Sequence, residues 1–161
     1  MNQIKNKTIF NLILLFSIFA LITVYFIEYI LGHQPCNLCL IERIPYILAI
    51  LLITIFFIFK KNEKIYLFLL TLVFASASLI SFYHFGIEQE FIEESLVCNT
   101  NVDNLDLSKE NLLKKLQEKT ISCKDVSFRI FGLSLASINT VISITFSAIL
   151  FNLFFKYDKN K

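Results

Sequence analysis

Four long apolar runs dominate the sequence and restrict the folds that this chain can adopt. Thr8 to Ile27, Ile65 to Ile87 and Ile130 to Phe155 contain no Asp, Glu, Lys or Arg, and residues 38–59 contain only one Glu–Arg pair. A helix needs roughly 20 apolar residues to cross the hydrocarbon core of a membrane. Backbone groups in lipid must be hydrogen-bonded internally, and the runs lack the alternation of barrel strands. The runs therefore predict four transmembrane helices.

The composition agrees with a membrane protein. Hydrophobic residues make up 56% of the chain and charged residues 17%, whereas soluble domains carry about 25% charged residues. We predict an all-α membrane protein, a four-transmembrane-helix bundle that forms a single integral membrane domain over residues 1–161, and we expect no nucleic-acid partner. The predicted spans are 8–30, 38–59, 65–87 and 132–155.

A signal peptide is the alternative interpretation of the first run, because Lys5 and Lys7 precede it. Its apolar part exceeds the roughly 7–15 residues of a signal core, and no small-residue cleavage site follows it. A retained span is therefore the favoured interpretation.

The lysines predict the orientation of the bundle. Eight basic residues flank the spans at one end, with only two acids beside them: Lys5, Lys7, Lys60, Lys61, Lys64, Lys156, Lys159 and Lys161. Short flanks rich in Lys and Arg mark the cytoplasmic side of a membrane. Both termini are therefore expected in the cytoplasm, and the connections at about 31–37 and 88–131 on the outer face.

The long outer connection is expected to contain a short amphipathic helix in "LSKENLLKKLQEK". Ser108 is a suitable N-cap, and Leu112, Leu113 and Leu116 form an apolar stripe. The following "CKDVSFRIFGLSLA" combines charges with Phe, Ile and Leu. That mixture predicts a segment lying at the membrane interface before the last span.

All four cysteines fall on or near the outer face, where disulfides persist. Cys36 and Cys39 stand at the start of span two, and Cys98 and Cys123 bracket the amphipathic segment. Four cysteines allow three pairings, so the spacing alone leaves the connectivity open. Small apolar fillers are the alternative role, but none of the four lies in the middle of a span.

The stretch "PCNLCLIERIP" carries the features of a redox-active dithiol. Pro35 is suited to the first turn of a helix, and a thiol near a helix start or a cation is more readily ionised. Arg43 follows Cys39 by four residues, which places it one helical turn further on. Pro45 predicts a kink at that point.

Several interpretations of these residues stay open on the sequence. An arginine at this depth needs a partner. The candidates are Glu42, a lipid headgroup, a Cys39 thiolate or the carbonyl of a bound electrophile.

A Cys36–Cys39 bond closes a ring too small to stabilise the fold much, which favours a bond that opens and closes. A zinc site of four cysteines is disfavoured by the separation of the second pair, and no metal is expected. Quinone, apolar and reducible by two electrons, is the expected acceptor.

Several motifs over nearly the whole chain resemble the DsbB family, the disulfide bond formation protein B of bacterial membranes. They are "PCNLCLIERIPY", "YHFGIEQ", two loop cysteines and "FRIFGLSLASIN" before the last span. The resemblance implies a four-helix membrane bundle that acts as a protein-thiol:quinone oxidoreductase in the bacterial cytoplasmic (inner) membrane. It also implies a DsbA-like thioredoxin-fold oxidase as partner and ubiquinone or menaquinone as cofactor.

The resemblance further implies roles for individual residues. Cys98 and Cys123 would form the disulfide offered to the partner, and Cys36 and Cys39 would pass the electrons to quinone through a transient Cys36–Cys123 bond. Cys39, Arg43 and His84 would lie at the quinone. For His84, a helix-end histidine wetted by headgroups is an equal alternative.

Two rival functions are retained at this stage. A vitamin K epoxide reductase-like protein also combines four helices, cysteines and a quinone, but its quinone-facing CxxC belongs to the last span, and span four here has no cysteine. A non-catalytic membrane protein with structural disulfides is the other. Disulfides that resist mild reductant would identify it.

Overall fold

The computed structural model of the 161-residue chain describes residues 2–59, 62–93, 98, 122–124, 129–130 and 132–159. Helices account for most of them. In chain order the elements are α1 (Asn2–Tyr29), α2 (Asn37–Ile41), α3 (Ile44–Phe59), α4 (Glu63–Glu88), β1 (Arg129–Ile130), β2 (Leu133–Ser134) and α5 (Leu135–Lys159). Within the described residues, four helical stretches are long and apolar enough to cross a membrane. The predicted four-span helical architecture is confirmed.

The second span is broken near its start. A turn at Glu42 and Arg43 separates α2 from α3, and Pro45 follows within the first turn of α3. Proline lacks an N–H donor and its ring crowds the carbonyl four residues before it. The helix is therefore interrupted at the point where the kink was predicted.

Aromatic contacts establish the antiparallel order of the helices. Phe10 near the start of α1 packs against Phe56 near the end of α3, with ring centroids 4.9 Å apart. Phe68 in the first turns of α4 meets Phe154 near the end of α5 at 5.7 Å. Successive spans therefore run up and down, so the starts of α2 and α5 and the end of α4 lie at one end of the bundle.

The sides of the bundle, which would face lipid, expose apolar side chains. Large side chains such as Phe19 in α1 and Leu79 in α4 are 67% and 71% exposed. Inside, Ala49 is buried in one cluster with Phe74, and small residues allow transmembrane helices to approach each other closely. The bundle core is thus packed by Phe, Ile and Leu with a small residue among them, while Leu and Phe also cover its outside.

The connection before the last span differs in part from the sequence expectation. A two-stranded antiparallel hairpin pairs Arg129 with Ser134 and Ile130 with Leu133, and Gly132 in its turn has a φ of 83°. The segment before the last span therefore contains a short hairpin that the pattern did not predict. The expected amphipathic helix around Ser108 to Leu116 lies outside the described residues.

Candidate redox site at the end of the bundle where α2 begins

Cys36 caps helix α2 with its own thiol. The sequence interpretation began this helix at Pro35, but it begins at Asn37 because Cys36 has an extended backbone. The Cys36 sulfur accepts a hydrogen bond from the Cys39 backbone N–H at 3.3 Å. The Cys36 and Cys39 sulfurs are themselves hydrogen-bonded at 2.8 Å, and both thiols are free. The cap thus holds the two sulfurs together as a dithiol.

The other two cysteines form a disulfide that packs against this dithiol. Cys98 and Cys123 are bonded and buried. They belong to one buried cluster with Cys36, Leu38 and Ile87, against which Cys39 packs. The structure therefore joins cysteines that lie far apart in the chain, one pair oxidised and the other reduced.

His84 lies between the dithiol and a buried carboxylate. Its Nε2 is 3.5 Å from the Cys36 sulfur, and its Nδ1 donates to Glu42 Oε1 at 2.8 Å. The His84 residue is only 2% exposed. A histidine hydrated among the lipid headgroups would be exposed, whereas His84 is buried. It lies against the CxxC pair.

Glu42 connects this histidine to the last helix. Its second oxygen accepts a hydrogen bond from Asn139 Nδ2 at 2.8 Å, and the same amide donates to Ser81 Oγ at 2.7 Å. The Tyr46 hydroxyl donates to Asn139 Oδ1. The resulting network ties the α2–α3 turn to α4 and α5. The sequence interpretation missed Asn139 and Ser81, although an acid within a span signals that polar partners must face it.

Arg43 finds its partner in the first helix. Its Nη1 is 2.7 Å from Glu28 Oε2, and its guanidinium lies over the Tyr25 ring at 5.1 Å from the centroid. Both oxygens of Glu42, one partner that the sequence offered, are bonded elsewhere. The Arg43 side chain is 9% exposed, and its Nε has no hydrogen-bond partner in the described part of the chain.

The unpaired Nε is the observation that bears on a quinone site. A buried N–H donor without an acceptor is costly, and a quinone carbonyl oxygen is an acceptor that could satisfy it. Leu40 and Ile44, which flank the α2–α3 turn, are apolar and partly exposed. Ligand sites typically combine such apolar walls with a few polar groups. The residues present therefore fit a quinone headgroup beside Arg43.

The surroundings of Cys36 favour its thiolate. The hydrogen bond with Cys39 is the largest influence, and together with the nearby His84 it outweighs burial, so that the pKa of Cys36 falls from 9.0 to about 5. A thiolate, not a thiol, is the nucleophile in thiol exchange. The Cys36 thiolate can therefore act as a nucleophile or as a leaving group at neutral pH.

This lowered pKa predicts the pH dependence of alkylation. With Cys36 and Cys39 reduced and a chelator present, the Cys36 alkylation rate should stay nearly constant from about pH 6.5 to 8.5 and fall below its pKa near 5. An unperturbed thiol would instead react about tenfold faster per pH unit below its own pKa. Mass spectrometry of the modified peptide supplies the rates. A Cys36 profile that parallels reduced glutathione would contradict the prediction.

The fold and these contacts define a class: a membrane protein of four helices with a buried dithiol beside a disulfide at one end of the bundle. The family model described as "Disulfide bond formation protein DsbB" matches residues 6–153. The chain therefore belongs to the DsbB family, whose members act in disulfide-bond formation.

A relative from Rickettsia prowazekii (strain Madrid E) agrees in length with this chain. It carries the name "Uncharacterized protein RP370" and is 30% identical over 165 residues, covering 99% of this chain and 96% of the relative. No solved structure matches the chain significantly.

Proposed function

We propose that this protein is a protein-thiol:quinone oxidoreductase that makes disulfides de novo. It takes electrons from a DsbA-like thioredoxin-fold oxidase outside the bacterial cytoplasmic membrane and passes them through two cysteine pairs to ubiquinone or menaquinone. The observation that carries the proposal is the single buried cluster of Cys36, Cys98 and Cys123, with Cys39 packed against it. Electrons can pass between the two pairs only if their sulfurs can meet.

The first half of the cycle is thiol–disulfide exchange. A partner thiolate attacks Cys98, the Cys98–Cys123 bond breaks, and Cys123 leaves as a thiolate. Cys123 then attacks Cys36 of an oxidised Cys36–Cys39 pair, which forms a Cys36–Cys123 bond and releases Cys39. The second partner thiolate attacks the partner sulfur of the mixed disulfide, which closes the partner's disulfide and releases Cys98. Cys98 then attacks Cys123, which re-forms their bond, breaks the Cys36–Cys123 bond and releases Cys36. The partner is oxidised, and Cys36 and Cys39 hold its two electrons as a dithiol.

The second half returns the CxxC pair to its disulfide. Quinone, when bound, supplies the acceptor for the two electrons and two protons of the dithiol. Cys36 and Cys39 then close their bond. Arg43 presents its unpaired Nε to a carbonyl oxygen, and Glu28 and Tyr25 hold the guanidinium in place. His84, fixed by Glu42, faces the Cys36 sulfur and stabilises its thiolate.

The proposed orientation places the cysteines outside the cell membrane and both termini in the cytoplasm. The up-and-down helix order brings the CxxC, His84 and the start of α5 to one end. The lysine-rich flanks near Lys7, Lys64 and Lys156 belong to the other end. An outer face with cysteines suits the compartment where disulfides persist, and the basic face suits the cytoplasm.

The proposal is tested by the two half-reactions of the purified full-length protein in detergent. Reduced thioredoxin-fold partner should transfer its electrons to the oxidised protein without quinone. Separately, chemically reduced protein should be reoxidised by ubiquinone or menaquinone without air. Disulfides that resist the partner, or a dithiol that neither quinone reoxidises, would overturn the proposal and favour structural disulfides.

Arg43→Ala is expected to impair quinone use selectively. A hydrogen bond to a charged group contributes about 1.5–3 kcal/mol, which corresponds to roughly 10- to 100-fold in binding. The KM for quinone should rise by that factor, while exchange with the partner stays near its normal rate. Glu28→Gln, which keeps the size but removes the ion pair, should give a smaller rise. Equal losses in both half-reactions would show that Arg43 only anchors the helix.

A further inference from the structure

The dithiol and His84 form a cluster of metal-ligating atoms. The two sulfurs of Cys36 and Cys39 and a His84 ring nitrogen all lie within 4.8 Å of one another. Cys36 and His84 are buried and Cys39 is partly exposed. Two thiolates and an imidazole are the donor types that bind zinc and similar thiophilic cations. From the sequence no metal is expected, because the wide spacing of Cys98 and Cys123 disfavours a site of four cysteines. His84 joins the cluster only through the fold.

The distances within the cluster are near those of a tetrahedral site. Zinc bonds of about 2.3 Å to sulfur and 2.0 Å to nitrogen place two such ligands about 3.5 Å apart, and Cys36 Sγ lies 3.5 Å from His84 Nε2. Two sulfurs on one zinc are about 3.8 Å apart, whereas these are hydrogen-bonded at 2.8 Å. Cys39, whose side chain is only partly buried, must therefore move its sulfur outward by about 1 Å.

The surroundings of His84 already resemble those of a metal-binding histidine. Glu42 Oε1 accepts from Nδ1 at 2.8 Å, which leaves the lone pair of a neutral ring on Nε2, the nitrogen beside Cys36. Metal-binding histidines commonly donate their other N–H to a carboxylate in this way, which fixes the tautomer and the ring orientation. The ligand nitrogen is thus positioned before any cation binds.

A buried carboxylate stands beside the remaining coordination position. Glu88 Oε1 is 3.9 Å from His84 Nε2, and the Glu88 side chain is only 6% exposed. Its other oxygen, Oε2, has no hydrogen-bond partner in the part of the chain that the structure describes. An unpaired carboxylate oxygen at this burial is costly, and a divalent cation between the two thiolates and His84 would give it an electrostatic partner.

We propose that the reduced Cys36–Cys39 pair and His84 bind one thiophilic divalent cation of the Zn²⁺ class, with Glu88 at the fourth position. Closing the Cys36–Cys39 disulfide removes two of the ligands, so the site exists only in the reduced protein. Each thiol that still carries its proton releases it to solvent on binding, as does His84 Nε2 where it is protonated toward the Cys36 sulfur, and no electrons move. A bound cation occupies both sulfurs and so stops their reoxidation by quinone; this last consequence rests on the proposed function.

The test is a titration of the full-length protein with Co²⁺ as a spectroscopic probe and with Zn²⁺ as competitor. A Cys98→Ser/Cys123→Ser variant, reduced without air, leaves only the Cys36–Cys39 pair to bind. One equivalent of Co²⁺ should produce a thiolate-to-cobalt charge-transfer band that Zn²⁺ removes, and oxidation of the pair should abolish it. Absence of the band in the reduced protein overturns the inference.

Variants in the same background distinguish this site from adventitious binding. His84→Ala should lose the band, whereas His33→Ala, at the chain's other histidine, should keep it. Glu42→Gln should weaken Co²⁺ binding by roughly 10- to 100-fold, as loss of a carboxylate behind a metal-binding histidine does. Should His84→Ala fail to fold, Glu88→Gln is expected to keep the stoichiometry and weaken binding. If Glu42→Gln and Glu88→Gln both bind Co²⁺ as tightly as the parent protein, the proposed site is wrong.

The outcome is separable from the proposed function. Quinone reduction without Co²⁺ binding would overturn the metal site alone. Co²⁺ binding in a protein that quinone does not reoxidise would overturn the proposed function alone. If both hold, stoichiometric Zn²⁺ should stop reoxidation of the reduced protein, and a chelator should restore it.

Discussion

Replacing Cys39 by serine is expected to abolish quinone-linked oxidation of the partner. The hydroxyl cannot form a disulfide with Cys36, so the inner pair can neither accept electrons from Cys123 nor return them to quinone. Exchange of the partner with Cys98 should continue, because that step needs only the outer disulfide. We expect no turnover above the uncatalysed rate, measured as quinone reduction, together with mixed disulfides to the partner in non-reducing gels.

Substitutions at the other cysteines separate the steps of the same route. Cys36→Ser should abolish turnover like Cys39→Ser. Cys98→Ser and Cys123→Ser should each also prevent attack by the partner, because neither variant retains the Cys98–Cys123 disulfide. Leu79→Ser is the matched control, since it introduces the same side chain at a position of α4 that is 71% exposed, and it should retain turnover. Substantial turnover in Cys39→Ser would show that electrons reach quinone by another route.

Glu42→Ala is expected to destabilise the bundle more than a substitution of an exposed acid. The Glu42 carboxylate accepts hydrogen bonds from both His84 and Asn139, so alanine leaves two buried polar groups without their acceptor. Removing one member of a buried charged pair costs about 3–5 kcal/mol. The free energy of unfolding in mixed micelles should fall by that order, as followed by helical circular dichroism.

Two further substitutions control the Glu42 experiment. Glu93→Ala removes an exposed carboxylate just after α4 and should change the free energy of unfolding by no more than about 0.5 kcal/mol. Glu42→Gln keeps an acceptor oxygen and should lose less stability than alanine. A Glu42→Ala protein as stable as Glu93→Ala would mean that the network with His84 and Asn139 contributes little.

The sequence predicted the parts of the fold that depend on local pattern. The four spans follow from uninterrupted apolar runs, and the break before Ile44 follows from Pro45, because both effects act within a turn or two of the chain. The CxxC spacing likewise brings Cys36 and Cys39 together within a single helical turn. These features need no knowledge of how the helices pack.

The partners of the charged side chains could not be predicted in the same way. Arg43 pairs with Glu28 and Glu42 with Asn139, across 15 and 97 residues of chain. Such pairs depend on the rotation and depth of one helix against another, which an apolar run does not specify. The short hairpin before α5 could not be predicted either, because two-residue strands are too short to produce a periodic pattern.

The anaerobic stoichiometry of partner oxidation and quinone reduction is the most direct test of the central claim. A catalytic amount of the purified protein is mixed with reduced thioredoxin-fold partner and quinone, and partner disulfide and quinol are measured together. We expect one quinol for each partner disulfide formed. Without quinone, partner oxidation should stop once the disulfides of the protein itself have been used. Partner oxidation without quinol, or no partner oxidation at all, would contradict it.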